Sequence, residues 1–210
     1  GRHRGAAASP GHLLTAHSSA VPERVLEEVL RRPASCGEAR LLRLDGPSGS
    51  GKTTLARELS RLALRRGVGC RVLHMDAMYD GWDGLPEVHT QLATLLPPLA
   101  EGRPGRYRVY DWRLGRYRRT VEVPPVPLLV LEGVGSGHPT YDALSTLLVW
   151  LEAPLALRRE RALARDGDDF APHWEAWAAS EGEVLARDRT RDRADLRLDT
   201  TDVAVSPEAG

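Results

Sequence analysis

Eight residues, Gly46-Pro-Ser-Gly-Ser-Gly51-Lys52-Thr53, carry the densest chemical signal in the chain. They fit the spacing G-x-x-x-x-G-K-S/T of a phosphate-binding loop. Glycines there let backbone N–H groups turn toward phosphate oxygens, and the helix that follows presents its positive N-terminus to them. Lys52 at this position reaches the β- and γ-phosphates, and the Thr53 hydroxyl is placed to coordinate Mg²⁺. Gly46, Ser48, Gly49, Ser50, Gly51, Lys52, Thr53 and Thr54 are therefore the expected nucleotide contacts. Lys52 is also the single lysine among 29 Lys and Arg residues, which excludes a Schiff-base site or the N-K-x-D guanine-reading motif elsewhere.

Two carboxylates stand where such a loop could use them. Asp76 closes the segment Arg71–Asp76 (RVLHMD), and Glu132 closes Leu128–Glu132 (LLVLE), followed by Gly133-Val-Gly. If both segments are strands of one parallel sheet, their carboxyl ends converge on the rim that holds the phosphate loop. One carboxylate could take a proton from an acceptor hydroxyl, and the other could hold Mg²⁺ directly or through water.

The elements that must position these residues can be read from periodicity. Ala39–Asp45 reads as a strand, Gly46–Gly51 as a tight loop, and Lys52–Arg66 as a helix with Leu55, Leu59 and Leu62 on one face. Arg71–Asp76, Leu128–Glu132, Thr146–Leu151 and Ala194–Asp199 supply further strands, with helical patterns over Leu85–Leu96, Pro154–Arg165 and His173–Arg187. A short amphipathic helix begins after Ser19 and ends before Pro33. Strands alternating with helices predict an α/β fold, a parallel sheet of about five strands flanked by helices. Residues 19–200 form the expected domain. Arg103–Val123, two charged alternating runs around Leu114-Gly115, is an expected antiparallel hairpin inserted over the carboxyl edge of the sheet. Residues 1–18 are expected to be a disordered arm or a cloning remnant, and 201–210 a C-terminal tail.

These residues, in this order from about Leu41 to Asp199, resemble the uridine kinase branch of P-loop small-molecule kinases, which also includes phosphoribulokinase and pantothenate kinase. Met75-Asp76-Ala77-Met78-Tyr79 is similar to the D-x-F-Y segment of that family, Tyr110-Asp111-Trp112 to its Y-D-F segment, and Leu131-Glu132-Gly133 to its F-E-G segment. Arg158, Arg161, Arg165 and Asp166 fall on its R-x-x-R-x-x-x-R-D lid helix, expected over 158–170. The resemblance implies a P-loop NTPase fold using ATP and Mg²⁺. It implies Asp76 as general base, Glu132 serving the metal with Thr53, Tyr110 lining a base pocket, and the lid arginines stabilising the transferring phosphoryl group beside Lys52. Two departures bear on the acceptor: Arg113-Leu114-Gly115-Arg116-Tyr117 lacks the family's His, and Gly167-Asp168-Asp169 replaces the basic continuation of the lid.

On the acceptor side, Tyr79, Trp82 and Asp83 share one turn-rich loop, where Trp82 could stack on a planar group and Asp83 could bind a hydroxyl pair. Tyr110, Trp112 and Arg116 are the hairpin candidates. Trp174 and Trp177, three apart on a helix, read as packing residues, and His74 as a structural histidine. The balance of 29 acidic against 29 basic residues advertises no nucleic-acid or membrane partner, so the expected partner is a nucleoside-like small molecule. Cys36 and Cys70 fit neither a disulfide framework nor a metal motif, and with no apolar run near the ~20 residues of a membrane span the expected location is the cytoplasm. The expectation is an ATP- and Mg²⁺-dependent kinase acting on a hydroxyl. The alternatives are a nucleoside monophosphate kinase and a P-loop ATPase or nucleotide-sensing module without a small-molecule acceptor.

Overall fold

The computed structural model describes residues 12–15 and 20–202. In chain order the sheet strands are β1 (His12–Thr15), β2 (Arg40–Asp45), β3 (Cys70–His74), β6 (Leu128–Glu132), β7 (Leu147–Glu152) and β8 (Leu196–Asp199), while β4 (Gly105–Asp111) and β5 (Arg116–Val123) form a separate antiparallel pair. The six-stranded sheet has the order β1-β8-β7-β2-β6-β3, with every pairing parallel. β2 lies inside, between β6 and β7. The chain leaves β2 toward β3 on one side and later returns to β7 on the other, which opens a crevice at the carboxyl end of β2.

Alternation along the strands divides the core into two layers. Leu42 and Leu44 of β2 and Leu128 and Val130 of β6 face one side, where they meet Val25, Leu26 and Val29 of α1 (Ala20–Arg31) and Leu55, Leu59 and Leu62 of α2 (Lys52–Arg65). Leu41, Leu129 and Leu131 face the other side. There they meet α3 (His89–Ala93), α4 (Leu96–Ala100) and α6 (Trp174–Asp188), the last contributing Trp174, Trp177 and Val184. Burial on both faces explains why β2, β6 and β7 are nearly continuous apolar runs. α5 (Leu155–Phe170) follows β7, and the short α7 (Thr190–Arg193) leads into β8.

The five expected strands are all present, and β1 is a sixth. His12–Thr15, expected to belong to a disordered arm, pairs with β8 from His12↔Leu196 to Thr15↔Asp199 and covers what would otherwise be an open edge. The rest of that arm and residues 203–210 lie outside the described residues. The helix expected over Leu85–Leu96 is broken into a 3₁₀ turn at Leu85–Glu87 followed by α3 and α4. Pro97 and Pro98 lack the N–H groups that a continuous helix needs, and they are accepted only in the first turn of α4. The strand expected to run to Asp76 ends at His74; Asp76 sits in a 3₁₀ turn, Met75–Ala77, just beyond it. Inside α5, Gly167 has φ 61° and ψ −145°, a break where the lid continuation departs from the family pattern. No helix among the described residues is long and apolar enough to cross a membrane.

Candidate active site

A cleft of about 370 Å³ opens at the carboxyl rim of β2, β3 and β6. Its floor is the phosphate loop from Ser48 to Thr54, one wall is Asp76 with Glu132–Val134, and its cover is the α5 segment carrying Glu160, Arg161, Ala162, Ala164 and Arg165. The loop's path depends on glycine. Gly49 has φ 78°, and a Cβ there would stand 2.2 Å from the carbonyl oxygen of Arg158, so α5 passes directly over its Cα. Gly51, in the left-handed region, caps α2 and lets the first turn of that helix face the cleft.

Lys52 is only 7% exposed. Its ammonium donates to the carbonyls of Gly46 (2.7 Å) and Pro47 (2.9 Å) and to Ser50 Oγ (3.4 Å). Burial pulls its pKa down, while the charges of Glu132, Glu181, Asp45 and Asp76 oppose that pull. Two further cations, Arg161 and Arg165, line the same cleft, so its carboxylates are set among positive charges that suit a polyphosphate.

The registers Leu44↔Glu132 and His74↔Glu132 bring the ends of β2, β6 and β3 level. Glu132 Oε1 is thereby shared by Thr53 Oγ1 (3.2 Å) and His74 Nδ1 (2.5 Å). A hydroxyl and a carboxylate converging at a phosphate loop suit Mg²⁺, a hard cation that takes a few protein oxygens and completes its shell with phosphate and water. His74, expected to be structural, is half exposed and touches this pair.

Asp76 is exposed at the cleft mouth. The protein crowded around it raises its carboxyl pKa, Glu132 adds to the rise, and Arg165 and Lys52 work against it. Arg165 chelates Asp166 through Nε (2.8 Å) and a terminal nitrogen (2.6 Å). Burial, the largest single influence, weakens its basicity, but the hydrogen bond and charge of Asp166, with the charges of Asp76 and Glu132, together outweigh burial and raise its pKa. Arg161 also lines the cleft, donating to Thr200 O (2.8 Å) and Oγ1 (3.2 Å).

Other expected site residues lie elsewhere. Arg158, expected among the lid arginines, points behind the loop, where it pairs with buried Glu181 (3.2 Å) and does not line the cleft. Tyr79 is 1% exposed, its hydroxyl donating to Val134 O (2.8 Å). Trp82 is packed by His173 (ring centroids 4.2 Å, 11°), Phe170 (5.4 Å, 10°) and Trp112 (4.8 Å), so its faces are engaged by the segment joining α5 to α6. Trp112 donates from Nε1 to Asp76 O (3.0 Å), and Tyr110 packs edge-on against it. These two hold the hairpin against the segment around Asp76. Asp83 and Arg116 are exposed and, like the aromatic residues, stand outside the cleft wall.

Two residues of the site escaped the sequence reading. Asp45 is fully buried and accepts backbone N–H bonds from Gly46 (2.7 Å), Gly135 (3.1 Å) and Gly137 (2.8 Å). It ties the phosphate loop to the loop after β6, although burial still raises its pKa. Its signal was an acid directly before the loop glycine. Glu181, on α6, accepts from Ser48 N (2.9 Å), and nothing local in sequence announced that contact.

No protein-family model and no curated protein sequence matches the chain. Among solved structures, the chain is similar to a candidate uridine kinase from Bacillus stearothermophilus (TM-score 0.62, 23% identity, 85% of this chain and 97% of that one). It is also similar to a candidate fructose transport system kinase from Silicibacter sp. TM1040 (TM-score 0.58, 23% identity, 85% and 98%). D-glycerate 3-kinase from Cryptococcus neoformans var. grubii aligns at TM-score 0.51 with 14% identity over 86% and 93%. The chain has the fold of P-loop kinases.

Proposed function

We propose that this protein is an ATP- and Mg²⁺-dependent phosphotransferase that moves the γ-phosphoryl group to a hydroxyl of a small molecule. The observation that carries this reading is the meeting, in one cleft, of the Lys52 loop, the Thr53–Glu132 oxygen pair, the Asp76 carboxylate and Arg165. The backbone amides of Gly49 to Thr53 hold phosphate oxygens, and Lys52 neutralises charge on the β- and γ-phosphates. Thr53 and Glu132 hold Mg²⁺, whose charge, when bound, offsets that building on the phosphate oxygens. The acceptor oxygen bonds to the γ-phosphorus as the bond to the β–γ bridging oxygen breaks; its proton passes to Asp76, and ADP leaves. A raised pKa makes Asp76 a better proton acceptor than an ordinary Asp. Arg165, with Arg161, places positive charge over the migrating group.

The acceptor is a neutral alcohol, nucleoside-like or a similar polyol, rather than a nucleoside monophosphate. The hairpin arginines that would grip an acceptor phosphate do not line the cleft. An ADP-release screen over nucleosides, nucleoside monophosphates, sugars and pantothenate-like alcohols tests this reading. Release that depends on a neutral alcohol is expected. Release at the same rate without any acceptor would assign the protein to the ATPases instead.

A further inference from the structure

Ser48 is the third residue of the phosphate loop, and each of its polar atoms is held by a side chain from a distant part of the chain. Its N–H donates to Glu181 Oε2 at 2.9 Å, its carbonyl accepts from Arg158 at 3.2 Å, and its hydroxyl accepts from Trp177 Nε1 at 2.9 Å. Arg158 and Glu181 also pair with each other at 3.2 Å, with side chains 13% and 3% exposed. Three residues from two helices thus close on one serine. The same stretch of α5 crosses Gly49 so closely that no Cβ would fit between them.

We infer that Trp177, Glu181 and Arg158 are positioning residues for nucleotide binding: they clamp the phosphate loop from its outer side and hold its amides in the shape that receives phosphate. The inference rests on the phosphate-binding reading of that loop. Glycines make the loop adaptable, and an adaptable loop must be ordered when it binds, at a cost in affinity. A loop already fixed by three outside hydrogen bonds avoids that cost. The side chains are suited to the task. Glu181 is buried and Arg158 largely so, and they satisfy each other, so neither can leave Ser48 without stranding a charge. The indole N–H of Trp177 has a fixed direction, and its ring is braced edge-on by Tyr79 (centroids 5.1 Å, 64°). Because Tyr79 belongs to the loop that follows Asp76, Trp177 also joins the acceptor side to the phosphate side. The pair Trp174 and Trp177, which reads as plain packing in the sequence, has a polar task at its second member.

The test is MgADP affinity by titration calorimetry, with thermal stability measured on every variant. Trp177→Phe keeps the packing and removes the N–H donor; a three- to ten-fold weaker Kd is expected, about the worth of one hydrogen bond. Glu181→Ala strands both Ser48 N–H and Arg158 and should weaken binding more. Glu181→Gln, which keeps an acceptor for Ser48 N–H, should restore part of that loss. Val184→Ala is the control: it opens a void on the same helix, so Tm should fall while Kd stays within about two-fold. If Trp177→Phe and Glu181→Gln bind MgADP like wild type while Lys52→Ala does not, the clamp is wrong and the phosphate loop stands. If Val184→Ala weakens binding as much as Trp177→Phe, the effect is general softening of α6 and the inference also fails. If wild type itself binds no MgADP, the functional reading beneath the inference falls.

Discussion

The two halves of the cleft are built differently. The phosphate half is made mainly of backbone: Gly46 to Thr53, the first turn of α2, and Asp45 collecting three N–H groups from two loops. The acceptor half, as proposed, depends on side chains from segments far apart: Asp76 in the cleft wall after β3 and, outside that wall, Trp82, Trp112 on the hairpin, Phe170 at the end of α5 and His173 just past it. A backbone site recognises a group common to many ligands, and its geometry hardly changes with side-chain drift. A side-chain site can be rebuilt by a few substitutions. This contrast accounts for a chain whose phosphate loop is plain while its acceptor segments depart from the family they resemble.

The contrast can be broken most forcefully in the phosphate half. Lys52→Ala removes the only ammonium in the cleft and should lower any nucleotide-dependent turnover by at least about 100-fold, measured as ADP release. Gly49→Ala should come next. Its φ of 78° disfavours any side chain by roughly 1–2 kcal/mol, and the added methyl meets a backbone carbonyl that cannot swing aside. MgADP binding should fall more than ten-fold by calorimetry, with α5 displaced from the loop.

In the acceptor half, Trp82→Ala should divide the two functions. It removes ring contacts worth about 1 kcal/mol each that hold the α5–α6 segment over the acceptor loop. The KM of the alcohol should rise about five-fold, with MgADP affinity unchanged within about two-fold. Equal losses in both would mean that the halves are not separable.

The smallest effect concerns stability. Asp76 binds its proton more tightly in the folded chain than in the unfolded one. Above its raised pKa the native state therefore carries the cost of an ionised, crowded carboxylate, and that cost disappears as pH falls through that pKa. Without nucleotide, Asp76→Asn should melt slightly higher than wild type near neutral pH. The two Tm values should converge as pH drops toward the ordinary Asp value of 3.8. A gap that widened in acid would contradict the assigned direction.

How much of this was legible in the sequence follows the same division. The loop and α2 could be read because they depend on contacts within a few residues, and the strand ending in Glu132 because burial on both faces makes it a continuous apolar run. Asp76 is expected at the end of a strand and lies in a 3₁₀ turn, since nothing in RVLHMD marks the point where that turn begins. The apolar period over Leu85–Leu96 stops just before Pro97 and Pro98, yet it hides the break between α3 and α4 that those prolines enforce a turn earlier. β1 was hidden because four residues pairing with an edge leave almost no pattern. Arg158 and Glu181, 23 positions apart, became partners only when α5 and α6 were packed together. Arg158, Arg161 and Arg165 do share one helical face, but Arg158 lies in the first turn of α5, two turns before Arg165, where Glu181 and the Ser48 carbonyl hold it outside the cleft.

The central claim is that phosphate binding and transfer meet at Asp76, and one side-by-side measurement on Asp76→Asn tests it most directly: MgADP affinity by calorimetry together with alcohol-dependent ADP release at saturating MgATP. An affinity close to wild type is expected, with a transfer rate lower by about 10²–10⁴-fold, the usual contribution of a general base. An Asp76→Asn protein that phosphorylates its alcohol at the wild-type rate would contradict it.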